Sequence, residues 1–247
     1  MHLDESDDLA GDYGSPIIAD HYQAYRPPLH KLILQKCLGK LRYGKGLDMG
    51  CGTGHSALAL LPYCSAVLAL DPSPAMLNRA LPHPQITYAH LPKGKLPVDT
   101  RSIDLCTFAG SWFYARSKEM VRELIRVSKP GGNLLLYDFK VSFENLSTVL
   151  PAVAENHIYN YHEDLSGIDT GIFKLKNRYT EQVQFQSTAG EMAHLILSEK
   201  TYYDIYAEDY KADEIHASLK KAIKTHAGSK ALSMSANLFA THYVHAP

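Results

Sequence analysis

Three glycines at alternate positions, Gly50, Gly52 and Gly54, follow a short apolar run that contains Asp48. Residues 56–61, directly after them, have the composition of a helix. Glycines at a strand-to-helix turn let the backbone adopt positive φ and approach a ligand with no side chain between. The helix that follows begins with unpaired N–H groups and the positive end of its dipole, which suits an anionic group. The loop therefore predicts a site for a nucleotide-like cofactor.

Three kinds of cofactor loop compete for this segment. A dinucleotide fingerprint needs glycine at its third position, where this chain has His55. Residues 39–46 approach the phosphate-binding pattern G-x-x-x-x-G-K-[ST], but Gly46 stands where a hydroxyl would hold magnesium, and the segment precedes the strand. The third pattern, Asp-x-Gly-x-Gly-x-Gly with a second acid at the end of the next strand, is complete when Asp71 is included.

The elements that must position this loop alternate regularly between strand and helix. Ser73 and Pro74 mark a helix start as N-cap and first helical residue, and apolar residues recur at helical spacing over 120–127. This alternation predicts parallel βαβ units and a doubly wound α/β sheet. The predicted strands are 45–49, 66–70, 85–89, 103–109 and 133–138.

The flanking segments complete a predicted single domain over residues 1–247. We expect two helices within 17–38, separated at Arg26-Pro27-Pro28. Residues 15–140 would form the cofactor-binding core, 141–200 a lid over the acceptor site, and 201–247 a closing helix and strand. Within the last two segments we predict, in order, helix and polar turns over 141–175, a strand at 179–186, a helix at 191–206, an amphipathic helix at 213–225 ended by Gly228, and a strand at 233–245.

Composition and net charge limit the kinds of molecule that this protein is expected to bind. Hydrophobic residues make up 45% of the chain and charged residues 21%, which is typical of a soluble globular protein. With 25 basic and 26 acidic residues, broad attraction to nucleic acid or to a membrane surface is not expected. The four cysteines occur singly, so neither a zinc site nor a disulfide framework is predicted. No apolar leader or membrane-spanning run is visible, and we expect a cytoplasmic protein without bound metal.

Four segments, in order, resemble the class I S-adenosylmethionine-dependent methyltransferases over about residues 22–138. They are 46–54, 70–77, 102–105 and 126–132. The resemblance implies a Rossmann-like seven-stranded sheet with helices on both faces and a small helical lid. It also implies S-adenosyl-L-methionine as the cofactor and methyl transfer as the activity.

The resemblance assigns the methionine and ribose parts of the cofactor to the first two strand ends. The backbone at Gly50, Cys51, Gly52 and Gly54 would pass under the methionine part. Asp48 would act from the end of the first strand, through water or the cofactor's amino group. Asp71 would accept hydrogen bonds from both ribose hydroxyls, a geometry that a carboxylate can satisfy; the alternative is helix capping.

The resemblance also implies an adenine site. Pro72 and Met76 would flank the ring, with core packing as the alternative for Met76. The family often places an acid after the third strand, but this chain has His90-Leu91-Pro92-Lys93-Gly94 there. Adenine recognition is therefore expected from His90, Leu91 or backbone groups of that loop.

Two further segments resemble the trans-aconitate methyltransferase group. Tyr22-Gln23-Ala24-Tyr25-Arg26-Pro27 matches its Y-x-x-x-R-P pattern, which would bring Tyr22 and Arg26 over the cofactor. Residues 109–114 resemble its A-x-H-W-F segment, with serine in place of histidine. Ala109 would then contact the cofactor, and Trp112 and Tyr114 the acceptor. Packing against the sheet edge is the alternative for Trp112.

Methyl transfer from a sulfonium is an in-line displacement that depends on positioning and exclusion of water. A carboxylate acceptor needs no base, whereas a hydroxyl or amine can need one. Candidate bases are His21, Tyr22, Tyr114 and His157. We therefore hypothesise an enzyme that methylates a small molecule, with a carboxylate or hydroxyl favoured. The alternatives are a catalytically inactive S-adenosylmethionine-binding partner protein and a macromolecule methyltransferase.

Overall fold

A computed structural model describes residues 13–153, 159–168, 171–228 and 231–246. Its strands form one seven-stranded sheet. They are β1 (Tyr43–Met49), β2 (Cys64–Asp71), β3 (Ile86–His90), β4 (Ile103–Ala109), β5 (Ser128–Ser142), β6 (Phe173–Ser187) and β7 (Leu232–His245). The order is β3-β2-β1-β4-β5-β7-β6, with β1 to β5 parallel and β7 antiparallel to both β5 and β6. The predicted doubly wound α/β sheet is confirmed.

The helices of the described residues lie before, between and after these strands. They are α1 (Pro16–Ala24), α2 (Leu29–Leu38), α3 (His55–Leu60), α4 (Pro74–Leu77), α5 (Trp112–Ala115), α6 (Lys118–Val127), α7 (Ala189–Leu197), α8 (Lys200–Asp209) and α9 (Ala212–Ala227). The predicted N-cap is confirmed, because the Ser73 hydroxyl accepts a hydrogen bond from the Met76 N–H at 3.2 Å. None of the helices in these ranges combines the length and apolarity that a membrane crossing requires.

Apolar clusters cover both faces of the sheet. Along β5, Leu135 packs in the cluster that includes α2 and α3, and Leu134 and Leu136 pack in the cluster that includes α6. Because successive side chains of a strand point to opposite faces, these clusters lie on opposite sides of the sheet. A third cluster joins α7, α9 and the start of β7.

The C-terminal part differs from the sequence-based expectation in two places. The helix predicted over 191–206 is two helices, α7 and α8, separated at Ser198 and Glu199. The predicted lid segment includes β6, which is one of the two edge strands of the sheet. Among the described residues of 141–172, the regular structure beyond the end of β5 is a 3₁₀ helix at Glu144–Leu146.

Candidate functional site

The glycine loop between β1 and α3 has the backbone conformation that its sequence predicts. Gly50, Gly52 and Gly54 have φ values of +69°, +54° and +90°, in the left-handed region that favours glycine. A Cβ atom on Gly50 would lie 2.5 Å from the Cβ of Ser111, and one on Gly54 would overlap the hydroxyl of Tyr88. Side chains at these two positions are therefore excluded by packing as well as by conformation.

The N–H donors of the loop are used within the protein. The amides of Gly50 and Cys51 both donate to the Leu70 carbonyl, at 2.7 and 3.1 Å. The amide of Gly52 donates to Asp71 Oδ2 at 2.7 Å. These three amides are therefore not available to an anion, and the expectation of an anion at the start of the following helix concerns other amides. The loop offers close backbone approach and carbonyl acceptors instead.

Asp48 lies beneath the loop and is fully buried. Its Oδ2 accepts from the Ser56 hydroxyl at 2.6 Å and its Oδ1 from the Thr107 hydroxyl at 2.7 Å. Burial raises the pKa of Asp48 to about 6. The carboxyl group therefore joins β1, α3 and β4, and its burial argues against the expected contact with a cofactor.

Asp71 ends β2 beside the loop. Its Oδ2 accepts from Gly52 and its Oδ1 from the Ser73 amide at 2.8 Å, while burial raises its pKa. Each carboxylate oxygen keeps a second lone pair for a ligand. His90, at the end of β3, pairs with Asp71 in register and is exposed, and the Leu91 amide donates to the Asp71 carbonyl at 2.9 Å. The structure thus brings together the residues expected at the ribose and adenine end.

The two residues expected to flank adenine differ in exposure. Pro72 is half-buried next to Asp71, whereas Met76 is only 2% exposed. Burial of Met76 agrees with the core-packing alternative. The Ser73 hydroxyl donates to the Tyr13 carbonyl at 2.8 Å, so Tyr13 lies next to this region.

Tyr22 and Arg26 lie together above the loop. The position of a Cβ on Gly52 is 3.6 Å from the Tyr22 ring, and the Arg26 guanidinium stacks 3.2 Å above the centre of that ring. One terminal nitrogen of Arg26 donates to the Ser198 hydroxyl at 2.8 Å. Its buried Nε has no hydrogen-bond partner among the described residues. This unsatisfied donor next to the loop is available to an acceptor group of a ligand.

Of the residues that follow β4, Trp112 lies in the core and Tyr114 at the surface. Trp112 is 1% exposed, packs edge-on against Phe108 at 5.0 Å and donates its Nε1–H to the Asp164 carbonyl at 2.9 Å. The structure therefore places Trp112 in the core, in agreement with the packing alternative, and not in the expected acceptor site. Tyr114 is 40% exposed, with its ring 6.2 Å from that of Tyr159. Ala109 is half-buried at the end of β4.

The structure does not support His21 as a general base. His21 is buried between α1 and α7, with its Nδ1 2.9 Å from Nδ1 of His194. Burial lowers the pKa of His21 to about 4, with a further contribution from His194. His21 therefore belongs to the helix interface and does not face the glycine loop. His157 lies outside the described residues.

Sequence reasoning missed a group of buried acids on the far side of β4. Asp138, in β5, is 9% exposed, and its Oδ2 accepts from the Tyr159 hydroxyl at 2.6 Å. Glu163 is 4% exposed, and its Oε1 accepts from the Phe113 amide at 2.7 Å. Burial raises the pKa of Asp138 to about 7 and that of Glu163 to about 9. Asp138 was detectable as an acid following an apolar strand, like Asp71; nothing in the irregular segment around Tyr159 and Glu163 signals their position.

Comparison with known proteins identifies a family resemblance. Residues 47–136 match the family model of a methyltransferase domain, which is less than half of the chain. An uncharacterized methyltransferase of Mycobacterium tuberculosis is 36% identical over 92 residues, covering 36% of this chain and 37% of the relative. A demethylmenaquinone methyltransferase of Clavibacter sepedonicus is 33% identical over 98 residues, covering 38% and 40%. The chain thus spans about two fifths of the length of these curated relatives. Residues 47–136 thus resemble a methyltransferase domain, as the sequence motifs predict.

The likeness in structure extends over most of the chain. A solved structure of a candidate type II methyltransferase from Anaeromyxobacter dehalogenans superposes with a TM-score of 0.58 at 18% identity. The match covers 90% of this chain and 97% of the other. The fold is therefore the Rossmann-like fold of class I methyltransferases.

Proposed function

We propose that this protein is an S-adenosyl-L-methionine-dependent methyltransferase that acts on a small molecule. The proposal rests on one contact: the glycine loop bonds to Asp71 at the carboxyl ends of β1 and β2. Both lie within the segment that matches a methyltransferase domain. Open α/β sheets bind ligands at this end of their strands.

The chemistry of the loop favours this cofactor over a phosphorylated one. Dinucleotides and nucleoside triphosphates need N–H donors for their phosphates, but the amides of Gly50, Cys51 and Gly52 are used internally. The methionine part of S-adenosylmethionine carries an ammonium and a carboxylate group. Loop carbonyls suit the ammonium group, and the unpartnered Nε of Arg26 suits the carboxylate group.

The role of the protein is positioning and shielding. When bound, the cofactor supplies an electrophilic methyl group on a positively charged sulfur. Asp71 would hold the ribose, while Tyr22 and Arg26 close the loop from above and exclude water. The acceptor would attack in line from the side of β4 and β5, where Tyr114 is exposed.

The acceptor is proposed to be a small molecule, and the sequence favours a carboxylate or a hydroxyl group. The name of one relative gives demethylmenaquinone as its substrate, which supports a small acceptor. Of the two groups, the buried acid Asp138 favours the hydroxyl, because its ionised form would repel a carboxylate. We retain the resemblance to the trans-aconitate methyltransferase group as a prediction for the Tyr22 to Arg26 segment only.

Isothermal titration calorimetry with S-adenosylmethionine, NAD and ATP tests the cofactor. We expect binding of S-adenosylmethionine alone, and binding of NAD or ATP alone would overturn the proposal. Release of S-adenosylhomocysteine with a panel of small acids, phenols and amines tests turnover. Cofactor binding without turnover of any small molecule would favour the inactive binding protein or the macromolecule methyltransferase.

A further inference from the structure

The buried acid Asp138 lies two strands from the glycine loop, on the side that an acceptor would occupy. β4 separates β1 from β5, and Met49 and Leu136 both pair with Phe108. Neighbouring strands are about 4.8 Å apart, so the ends of β1 and β5 are separated by roughly 10 Å. Gly110 lies between them, and a Cβ atom there would be 3.0 Å from Asp138 Oδ1. Glycine thus leaves space beside the carboxyl group.

Asp138 and Glu163 form a group of buried acids. The Tyr159 hydroxyl donates to Asp138 Oδ2 at 2.6 Å and lies 3.3 Å from the Gly110 carbonyl. Oε2 of Glu163 is buried and has no hydrogen-bond partner among the described residues. Within the same ranges, no lysine or arginine forms an ion pair with either carboxyl group. An unsatisfied buried oxygen is costly, and a ligand that forms a hydrogen bond with it removes that cost.

Aromatic rings surround this group and reach the surface. The Tyr159 ring lies 4.9 Å from Phe113, 6.2 Å from Tyr114 and 4.7 Å from Tyr161. Phe113 is 36% exposed and Tyr114 40% exposed. Exposed rings beside a polar group suit a flat, aromatic ligand. The surroundings therefore fit an aromatic molecule that bears a hydrogen-bond donor.

We propose that Tyr159 is the catalytic residue that accepts the proton of a phenolic acceptor, with Asp138 as the positioning residue that takes the proton from Tyr159. This inference rests on the proposed function. In the transfer step, an oxygen lone pair of the phenol forms the new bond to the methyl carbon, and the electrons of the carbon–sulfur bond go to sulfur. The phenol proton moves to Tyr159 as the proton of Tyr159 moves to Asp138, which later releases it to solvent. Glu163, in its neutral form, donates a hydrogen bond to the bound phenol.

The electrostatics agree with this order of proton transfer. Burial and the neighbouring acids raise the pKa of Tyr159 well above its ordinary range, so its hydroxyl is a proton carrier and not a resident phenolate. Asp138, whose pKa is raised to about 7, is ionised above neutral pH. The titratable groups that interact with Asp138 are Tyr137, Tyr159, Glu163 and Glu199.

The variants Tyr159→Phe and Asp138→Asn test the relay, with Tyr210→Phe, directly after α8, as the matched control. S-adenosylhomocysteine release is measured with phenol, catechol, benzoate and aniline, and cofactor affinity is measured separately by calorimetry. We expect turnover of the phenols only, and a loss in kcat of about 100-fold or more for Tyr159→Phe. The wild-type rate should rise with pH through about 7, and Asp138→Asn should abolish that rise. Cofactor affinity should stay within twofold in both variants.

Each other outcome counts against a defined claim. A Tyr159→Phe rate within threefold of wild type, or a pH profile unchanged in Asp138→Asn, overturns the relay. Turnover of benzoate or aniline but not of the phenols overturns the acceptor class, as does cofactor binding with no turnover of any probe. Absence of S-adenosylmethionine binding by the wild-type protein instead contradicts the proposed function itself.

Discussion

Asp71 combines a structural and a proposed binding role in one carboxylate. It holds the amides of Gly52 and Ser73 and would accept the ribose hydroxyls. We expect Asp71→Ala to weaken S-adenosylmethionine binding by about 2–4 kcal/mol, because charge-assisted hydrogen bonds are lost. Calorimetry measures the effect, with the exposed Asp204→Ala on α8 as the control. An affinity unchanged from wild type would show that Asp71 does not bind the cofactor.

Because Asp48 is buried beneath the loop, we expect its substitution to lower the stability of the protein. Asp48→Ala leaves the buried hydroxyls of Ser56 and Thr107 without their acceptor. An unsatisfied buried donor costs about 1–3 kcal/mol, so we expect the free energy of unfolding to fall by about 2–4 kcal/mol. Urea denaturation measures the loss. If stability were unchanged while cofactor binding disappeared, Asp48 would instead be a direct ligand.

At the scale of elements, α1 is held over the glycine loop by one contact in its middle and others just beyond its C-terminal end. Asp20 pairs with Arg79, and Arg26, just beyond α1, stacks on Tyr22 and donates to Ser198. Because Ser198 separates α7 from α8, Arg26 connects the N-terminal helices to the C-terminal helix layer.

Removal of Arg26 should therefore loosen α1 and weaken the cofactor site together. We expect Arg26→Ala to raise the KM for S-adenosylmethionine by about tenfold, which corresponds to about 1.4 kcal/mol, and to increase hydrogen exchange over 16–24. Arg26→Lys should recover only part of the affinity, since lysine lacks the planar fork. Arg122→Ala, at an exposed ion pair on α6, is the control. If hydrogen exchange over 16–24 were unchanged in Arg26→Ala, Arg26 would not be the residue that holds α1 over the glycine loop.

Elements with local signals were predictable, and contacts between distant segments were not. The strands β1 to β5 follow from apolar runs, and the N-cap Ser73 from its own residue type. The end of α7 depends on Ser198, whose hydroxyl bonds Arg26 from far along the chain. The position of Trp112 depends on which way α5 turns after β4, and its indole partner, Asp164, comes from an irregular segment. Local patterns in the sequence carry no information about contacts between segments that are distant along the chain.

For the whole molecule, two sets of buried titratable groups act on stability in opposite directions. Burial lowers the pKa of several histidines to between about 3 and about 4, so the native state binds fewer protons than the unfolded state below their ordinary pKa of 6.5. Stability due to this set falls as the pH decreases from 6.5. The set comprises His21, His30, His55 and His242.

The second set consists of the buried acids, with pKa raised to about 6 for Asp48, about 7 for Asp138 and about 9 for Glu163. The native state retains their protons more strongly than the unfolded state does, so their contribution falls as the pH rises from about 4 to these values. Asp71 belongs to this set by the direction of its pKa shift, and His194 to the histidine set. Below pH 6.5 five histidines therefore act against four acids, whereas above it the acids, joined near pH 9 by the buried thiols, lower stability. We therefore expect the free energy of unfolding, measured in urea between pH 5 and 9, to be greatest near pH 6.5.

Glu163→Gln should flatten the decline in the free energy of unfolding between pH 7 and 9. An unaltered decline in that variant would mean that Glu163 is not buried in the native protein.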